Sequence, residues 1–228
     1  MELEKLQKRI GFTFQNKGLL EEALTHRSYL NENPSWAPGN NERLEFLGDA
    51  VLELVITEEL FRKFPRKEEG TLTVLRAALV NSKSLSEVAK DLGLDKELLL
   101  SRGEAKDAKG KGRETISANA VEALIGAIYM DGGYEKAKLF IEHFILPKLE
   151  AVAKDGGKDA KSLVQEYAQA ELKITPIYEV VEETGPAHSR HFRVGLYFDK
   201  EFKAEGAGTS KQEAEVDAAE RFLASLAK

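Results

Sequence analysis

The period of the hydrophobic pattern changes once along this chain, and that change splits the fold into two unlike parts. As far as Val152, apolar residues recur every three or four positions, the period of an amphipathic helix. Leu20, Ala23 and Leu24 form one such set, and Leu44, Leu47, Val51, Leu54 and Val55 another. Leu75, Ala78 and Leu79, then Leu85, Val88 and Leu92, continue it. Later, Ile177 to Glu182 and Phe192 to Phe198 alternate instead, as half-buried strands do. Phe202 to Glu205 is a short third strand candidate. Lys154 to Asp159 is polar and carries two glycines, which predicts a linker. A helix over about Ala160–Leu172 precedes the strands. Another starts near Ser210 with Ala214, Ala218, Phe222 and Leu226 on its apolar face. The expected architecture is an all-α domain over 1–153, a linker over 154–159 and a small α+β domain (α-β-β-β-α) over 160–228.

Within the helical part, Pro65 and Gly70 bracket a break, and the Gly- and Lys-rich stretch Arg102–Arg113 predicts a loop. A helix over about Ile116–Met130 should stop at Asp131-Gly132-Gly133, where glycine suits the left-handed cap; a last helix should cover about Tyr134–Val152. The 228 residues include no cysteine, which excludes disulfides and thiolate metal sites. No apolar run approaches the roughly 20 residues of a membrane span, and the charged N-terminus lacks an apolar signal core. A cytoplasmic protein with no membrane partner is the expectation. Net charge is −6, and from Asp159 onward nine basic side chains face thirteen acidic ones. Any nucleic-acid binding must therefore use a local patch.

The densest chemical statement is Asn41-Glu42-Arg43-Leu44-Glu45-Phe46-Leu47-Gly48-Asp49. Glu42, Glu45 and Asp49 share one helix face, while Leu44, Leu47 and Val51 face a core. Stacked carboxylates repel one another unless something positive sits among them. Mg²⁺ or Mn²⁺ suits such hard oxygen donors, although for three acids alone a solvated acidic face paired with surface Lys and Arg is the favoured reading. Asn119 and Glu122 form a second polar pair at i, i+3 amid Ala118, Ala120, Val121, Ala123, Leu124 and Ile125. A Glu in such surroundings needs a partner: an Arg such as Arg43 or Arg113, or a cation shared with Glu45 and Asp49. None of the four histidines has a partner that suggests a nucleophilic triad. His26 is expected to be packed or hydrogen-bonded, and His143 to lie at a surface or interface.

The run Asn41–Asp49 resembles the nine-residue motif of the bacterial ribonuclease III family and stands unbroken here. Glu114–Tyr129 resembles that family's second acidic helix, and Leu24-Thr25-His26-Arg27-Ser28-Tyr29 its early Thr-His-Ser stretch. The resemblance implies an all-helical catalytic domain that forms a homodimer. It also implies a Mg²⁺-dependent endonuclease that cuts double-stranded RNA to 5′-phosphate and 3′-hydroxyl ends. Ribosomal precursor processing is the family's expected task, and no organic cofactor is implied. Carried over by position, Glu45, Asp49, Asn119 and Glu122 would hold the metal, with Asp49 and Glu122 as catalytic acids. Glu42 would lie near the dimer and RNA surface, and Glu69 in the RNA-facing valley. Where the family commonly has Asp, this chain has Asn119, whose amide oxygen can ligate but brings no charge. That departure leaves open a catalytically weakened RNA-binding protein of the same fold. Phe46, Leu72 and Leu75 could line a dimer interface or belong to the core.

Residues 159–228 resemble a double-stranded-RNA-binding domain, carried by Leu163–Tyr167, Thr175–Tyr178, Gly185–His188 and Gly206–Glu215. The resemblance places Gln165 and Glu166 at one minor groove and His188 at the next. Ser210, Lys211 and Gln212 would open the last helix at a phosphate. The family often has a second lysine where Gln212 stands, so modest affinity is expected.

Overall fold

The computed structural model describes residues 3–106, 111–154, 157, 159–186 and 190–226. The chain separates into two units, Met1–Gly157 and Lys158–Lys228.

In the first unit the short helices α1 (Leu3–Ile10), α2 (Lys17–Ala23) and α3 (Arg27–Glu32) precede a long one, α4 (Glu42–Lys63). Then come α5 (Glu69–Val80), α6 (Ser82–Leu92), α7 (Arg102–Lys106), α8 (Lys111–Gly132), α9 (Tyr134–Phe144) and α10 (Leu149–Lys154). α8 is the central helix. Ala118, Ala120, Val121, Ala123, Leu124, Ile125, Ala127 and Ile128 are all buried, so it is enclosed on nearly every side. α4 lies against it and buries Leu44, Val51, Leu52, Val55, Ile56 and Leu60.

The two long helices touch backbone to backbone. A Cβ built on Gly48 would sit 1.7 Å from the Glu122 carbonyl oxygen, and one on Gly126 would sit 2.2 Å from that of Leu44. Only glycine permits this approach, and it outweighs the roughly 1 kcal/mol that glycine costs inside a helix.

The N-terminus of α4 hangs on Thr25, which is fully buried. Its carbonyl accepts from Asn41 N–H at 2.9 Å, and its hydroxyl accepts from the Trp36 indole at 3.1 Å. Trp36 also meets Tyr29 edge to face, so the single tryptophan ties down the loop that leads into α4.

Several boundaries differ from the sequence expectation. The predicted loop over 102–113 is partly helical: α7 begins just after Ser101, whose hydroxyl accepts from Glu104 N–H, and α8 starts at Lys111. Gly70 lies inside the first turn of α5 rather than closing a break. The predicted helix over 134–152 is interrupted by a 3₁₀ turn, Leu146–Lys148, because Pro147 has no N–H to continue the ladder. α8 does end at Gly132, followed by Gly133 at φ 77°. Of the predicted linker, residues 155, 156 and 158 lie outside the described residues.

The second unit runs α11 (Ala160–Tyr167), a π turn (Ala168–Leu172), β1 (Pro176–Thr184), β2 (His191–Phe198), β3 (Glu201–Gly208) and α12 (Lys211–Leu226). The sheet is antiparallel in the order β1-β2-β3. Val164, Ala168, Leu196, Phe198, Ala218, Ala219 and Phe222 form its core between sheet and helices. β3 is longer than predicted; its Gly206 lets α12 close in, since a Cβ there would stand 2.1 Å from Ala218 N. This is the α-β-β-β-α order expected from the pattern.

Candidate active site

The Gly48–Gly126 contact sets the site. It brings the face of α4 that carries Glu45 and Asp49 against the face of α8 that carries Asn119 and Glu122. The Asn119 side-chain amide hydrogen-bonds the Glu45 carboxylate. The neighbours that act on the Glu122 charge are Asp49 and Glu45. Arg43 and Arg113, left open as partners by the sequence, do not fill that role. Arg113 instead donates to the Asp95 carbonyl at 2.9 Å.

The electrostatics follow from the packing. Burial pushes the Glu122 carboxyl up to about 7, and the Asp49 and Glu45 charges add to the shift. Glu45 is also raised, first by burial; the Asn119 hydrogen bond opposes the shift, and Glu42 and Asp49 add to it. Among the described residues, no three His, Asp or Glu side chains close into a metal cage. Mutual repulsion of these carboxylates acts against such closure. The donor set is all oxygen: Glu45 and Glu122 are half-buried, Asp49 is exposed beside them, and the three carboxylate charges disfavour one another. Those are the properties a hard divalent cation relieves, so the residues fit one.

Glu42 stands apart from this cluster. It is exposed, paired with Arg27 at 3.5 Å and bonded to Asn40. Glu69 is exposed at the start of α5 and accepts from the Thr73 hydroxyl at 2.9 Å. Glu42 reaches the cluster only through its charge, which acts on Glu45. His26 caps α3, its Nδ1 accepting from Ser28 N–H, and His143 is exposed.

A family model described as Ribonuclease-III-like matches residues 16–149, and one described as double-stranded RNA binding motif matches residues 160–226. A protein named Ribonuclease 3 from Enterococcus faecalis is 43% identical over 222 residues, covering 97% of this chain and 96% of its own. Its namesake from Carboxydothermus hydrogenoformans is 46% identical over 222 residues, covering 97% and 94%. The chain belongs to the ribonuclease III family. The solved nuclease domain of the Campylobacter jejuni ribonuclease III is 44% identical and superposes with a TM-score of 0.58. That match covers 64% of this chain and 97% of the solved one. As a family member the chain is an endoribonuclease, a hydrolase of phosphodiester bonds, with a double-stranded-RNA-binding domain behind its helical domain.

In that second domain Gln165 and Glu166 are exposed on α11. Ser210 caps α12 by accepting from Glu213 N–H at 3.2 Å, and Lys211 and Gln212 are exposed at its start. His188 lies outside the described residues.

Sequence reasoning missed two features of the site. One is the glycine crossing; the signal was a glycine deep inside each of two helix patterns, Gly48 and Gly126. The other is the Asn119–Glu45 hydrogen bond, for which no signal exists, because the partners are distant in sequence.

Proposed function

We propose that this ribonuclease III family member cuts double-stranded RNA by divalent-cation-assisted hydrolysis, with Mg²⁺ the natural ion and Mn²⁺ a substitute. The products would carry 5′-phosphate and 3′-hydroxyl ends. The observation that carries this reading is the crossing of α4 and α8, which places Glu45 and Asp49 beside Asn119 and Glu122. Glu45, Asp49 and Glu122 would hold the ion, with the Asn119 amide steadying Glu45. A bound cation supplies Lewis acidity for attack by water and for charge on the departing oxygen. The chain's own part is to hold these carboxylates together, with Glu45 and Glu122 half-buried. Without a cation the Glu122 carboxyl is raised to about 7; a bound cation would favour the carboxylate form that ligates it.

The active form in this reading is a homodimer. Phe46, Leu54 and Phe61 are 82%, 52% and 72% exposed along one side of α4, next to the carboxylate face. A stripe that apolar is an interaction surface. Of the other interface candidates, Leu75 is fully buried and Leu72 packs against the core. The Campylobacter jejuni nuclease domain has a region involved in dimer formation. Glu42 and Glu69, both exposed, remain candidates for the dimer or RNA surface. Gln165, Glu166, His188, Ser210, Lys211 and Gln212 are proposed as the RNA contacts of the second domain. Structured RNA in the cytoplasm, ribosomal precursors among it, is the proposed substrate. No helix among the described residues is long and apolar enough to cross a membrane.

A second reading, RNA binding with weakened catalysis, rests on Asn119, which replaces a charged ligand by an amide engaged with Glu45. One experiment separates the two. The purified protein is incubated with a long perfect RNA duplex and Mg²⁺, beside an Asp49→Asn, Glu122→Gln double variant, and product ends are mapped. Cleavage with 5′-phosphates that the variant lacks supports the nuclease. Binding without cleavage, also in Mn²⁺, supports the second reading.

A further inference from the structure

A pocket of about 720 Å³ opens one helical turn before the carboxylates, between α3, α7 and the start of α8. His26, Arg27, Ser28, Asn31, Glu104 and Thr115 line it. Thr115 precedes Asn119 by one turn of α8, and Arg27 pairs with Glu42, which precedes Glu45 by one turn of α4.

His26 is held there in a defined tautomer. Its Nδ1 accepts from Ser28 N–H at 3.3 Å, and a backbone N–H can only donate. Nδ1 therefore carries no proton, and in the neutral ring the proton is on Nε2. The Ser28 hydroxyl, 2.8 Å from Nδ1, completes the arrangement and itself accepts from Ser101 N–H at 3.0 Å. Burial lowers the His26 pKa and keeps the ring neutral. Glu104 and Glu42 oppose that shift, and Arg27 and Arg113 reinforce it. Among the described residues, Nε2–H and the Asn31 amide have no hydrogen-bond partner. Arg27 is 72% exposed, and its pair with Glu42 is a surface one, which is weak. A locked ring thus offers a donor beside an arginine and an amide, with one carboxylate, Glu104, across from them.

We propose that this pocket is a ribonucleotide subsite next to the cleaved bond, with Arg27, Asn31 and His26 Nε2–H on phosphate oxygens and Glu104 accepting from the ribose 2′-hydroxyl. The subsite rests on the nuclease reading given above. Three donors alone would suit any anion. The added acceptor matches a hydroxyl that RNA has and DNA lacks. His26 and Arg27 are positioning residues that act on bound RNA, so their loss raises KM and leaves kcat alone.

Steady-state cleavage of a short RNA duplex with Mg²⁺ by the full chain tests this. His26→Asn keeps an acceptor for Ser28 N–H and removes the ring donor. It should raise KM about tenfold, the scale of one lost hydrogen bond, with kcat and melting temperature unchanged. Arg27→Gln, outside the core, should do the same even where His26→Asn destabilises the fold. Single 2′-deoxy substitutions walked past the cut should find one position that raises KM in the wild type but adds nothing in Glu104→Ala, which removes the acceptor. Unchanged KM in both His26→Asn and Arg27→Gln, or a fall in kcat instead, overturns the proposal. So do deoxy effects that add to Glu104→Ala at every position. Failure of the wild-type protein to cut the duplex would instead sink the nuclease reading.

Discussion

Glu122 is the residue at which packing, charge and chemistry meet. Its carboxyl is raised to about 7 by burial and by the charges of Asp49 and Glu45. A carboxyl raised in the folded state stabilises the fold fully below its unfolded value near 4.5, and that contribution is lost as pH rises through about 7. With metal chelated, Glu122→Gln should therefore melt higher than the wild type at pH 8 and match it at pH 4. Thermal melts at the two pH values check this; equal differences at both would mean that Glu122 is not perturbed. Asn119 invites the opposite experiment. Asn119→Asp adds a charge among the oxygens and should lower the Mg²⁺ concentration for half-maximal cleavage. An unchanged Mg²⁺ titration would place residue 119 outside the metal's reach. The residue types at 45, 49, 119 and 122 were legible in the sequence. The hydrogen bond between the Asn119 amide and Glu45 was not, since 74 positions separate the two and no local pattern encodes it.

At the scale of elements, α4 and α8 do the positioning, and their glycines decide how closely. Alanine is ordinarily the better helix former by about 1 kcal/mol. Gly126→Ala should nonetheless destabilise this protein, by about 1–3 kcal/mol, because its Cβ would sit 2.2 Å from the Leu44 carbonyl oxygen. Denaturant unfolding measures the sign directly, and a stabilised variant would refute the close crossing. Cleavage should fall more than the folded fraction does, since separating the helices parts Glu45 and Asp49 from Glu122. Helical periodicity was readable for both elements. The boundaries were less so. Pro147 broke a helix that its apolar spacing extended, and the Gly- and Lys-rich stretch after Leu100 still formed α7. Composition there argued for a loop, but Ser101 provides a cap.

At the scale of the whole molecule, assembly and charge govern activity. The exposed stripe of Phe46, Leu54 and Phe61 should be covered in the active form. Phe61→Glu places a charge within it and should shift the particle mass from dimer towards monomer in sedimentation, with cleavage lost in parallel. A variant that stays dimeric would move the interface elsewhere. The RNA-binding domain is acidic overall, with nine basic and thirteen acidic side chains from Asp159 onward. Much of its basic charge is already engaged: Arg193 holds Glu182 and Glu205, and Lys161 holds Glu215. Residues 159–228 alone should bind duplex RNA modestly, with a shallow salt dependence because few phosphates are neutralised. Nanomolar affinity at physiological salt would contradict this.

The sequence by itself determined the division into a helical and an α+β part, the helix faces that carry the acids, and the family. Those properties are written in local periods and in contiguous motifs, which need no knowledge of what lies across the fold. Only the tertiary structure decided that Glu122 meets Asp49 and Glu45 rather than an arginine, that Asn119 is spent on Glu45, and that Glu42 faces Arg27 outside the cluster. It also decided the tautomer of His26, which depends on a backbone N–H two residues on and a hydroxyl anchored from Ser101. Contacts between distant segments depend on how closely helices approach. In this protein two glycines set that distance.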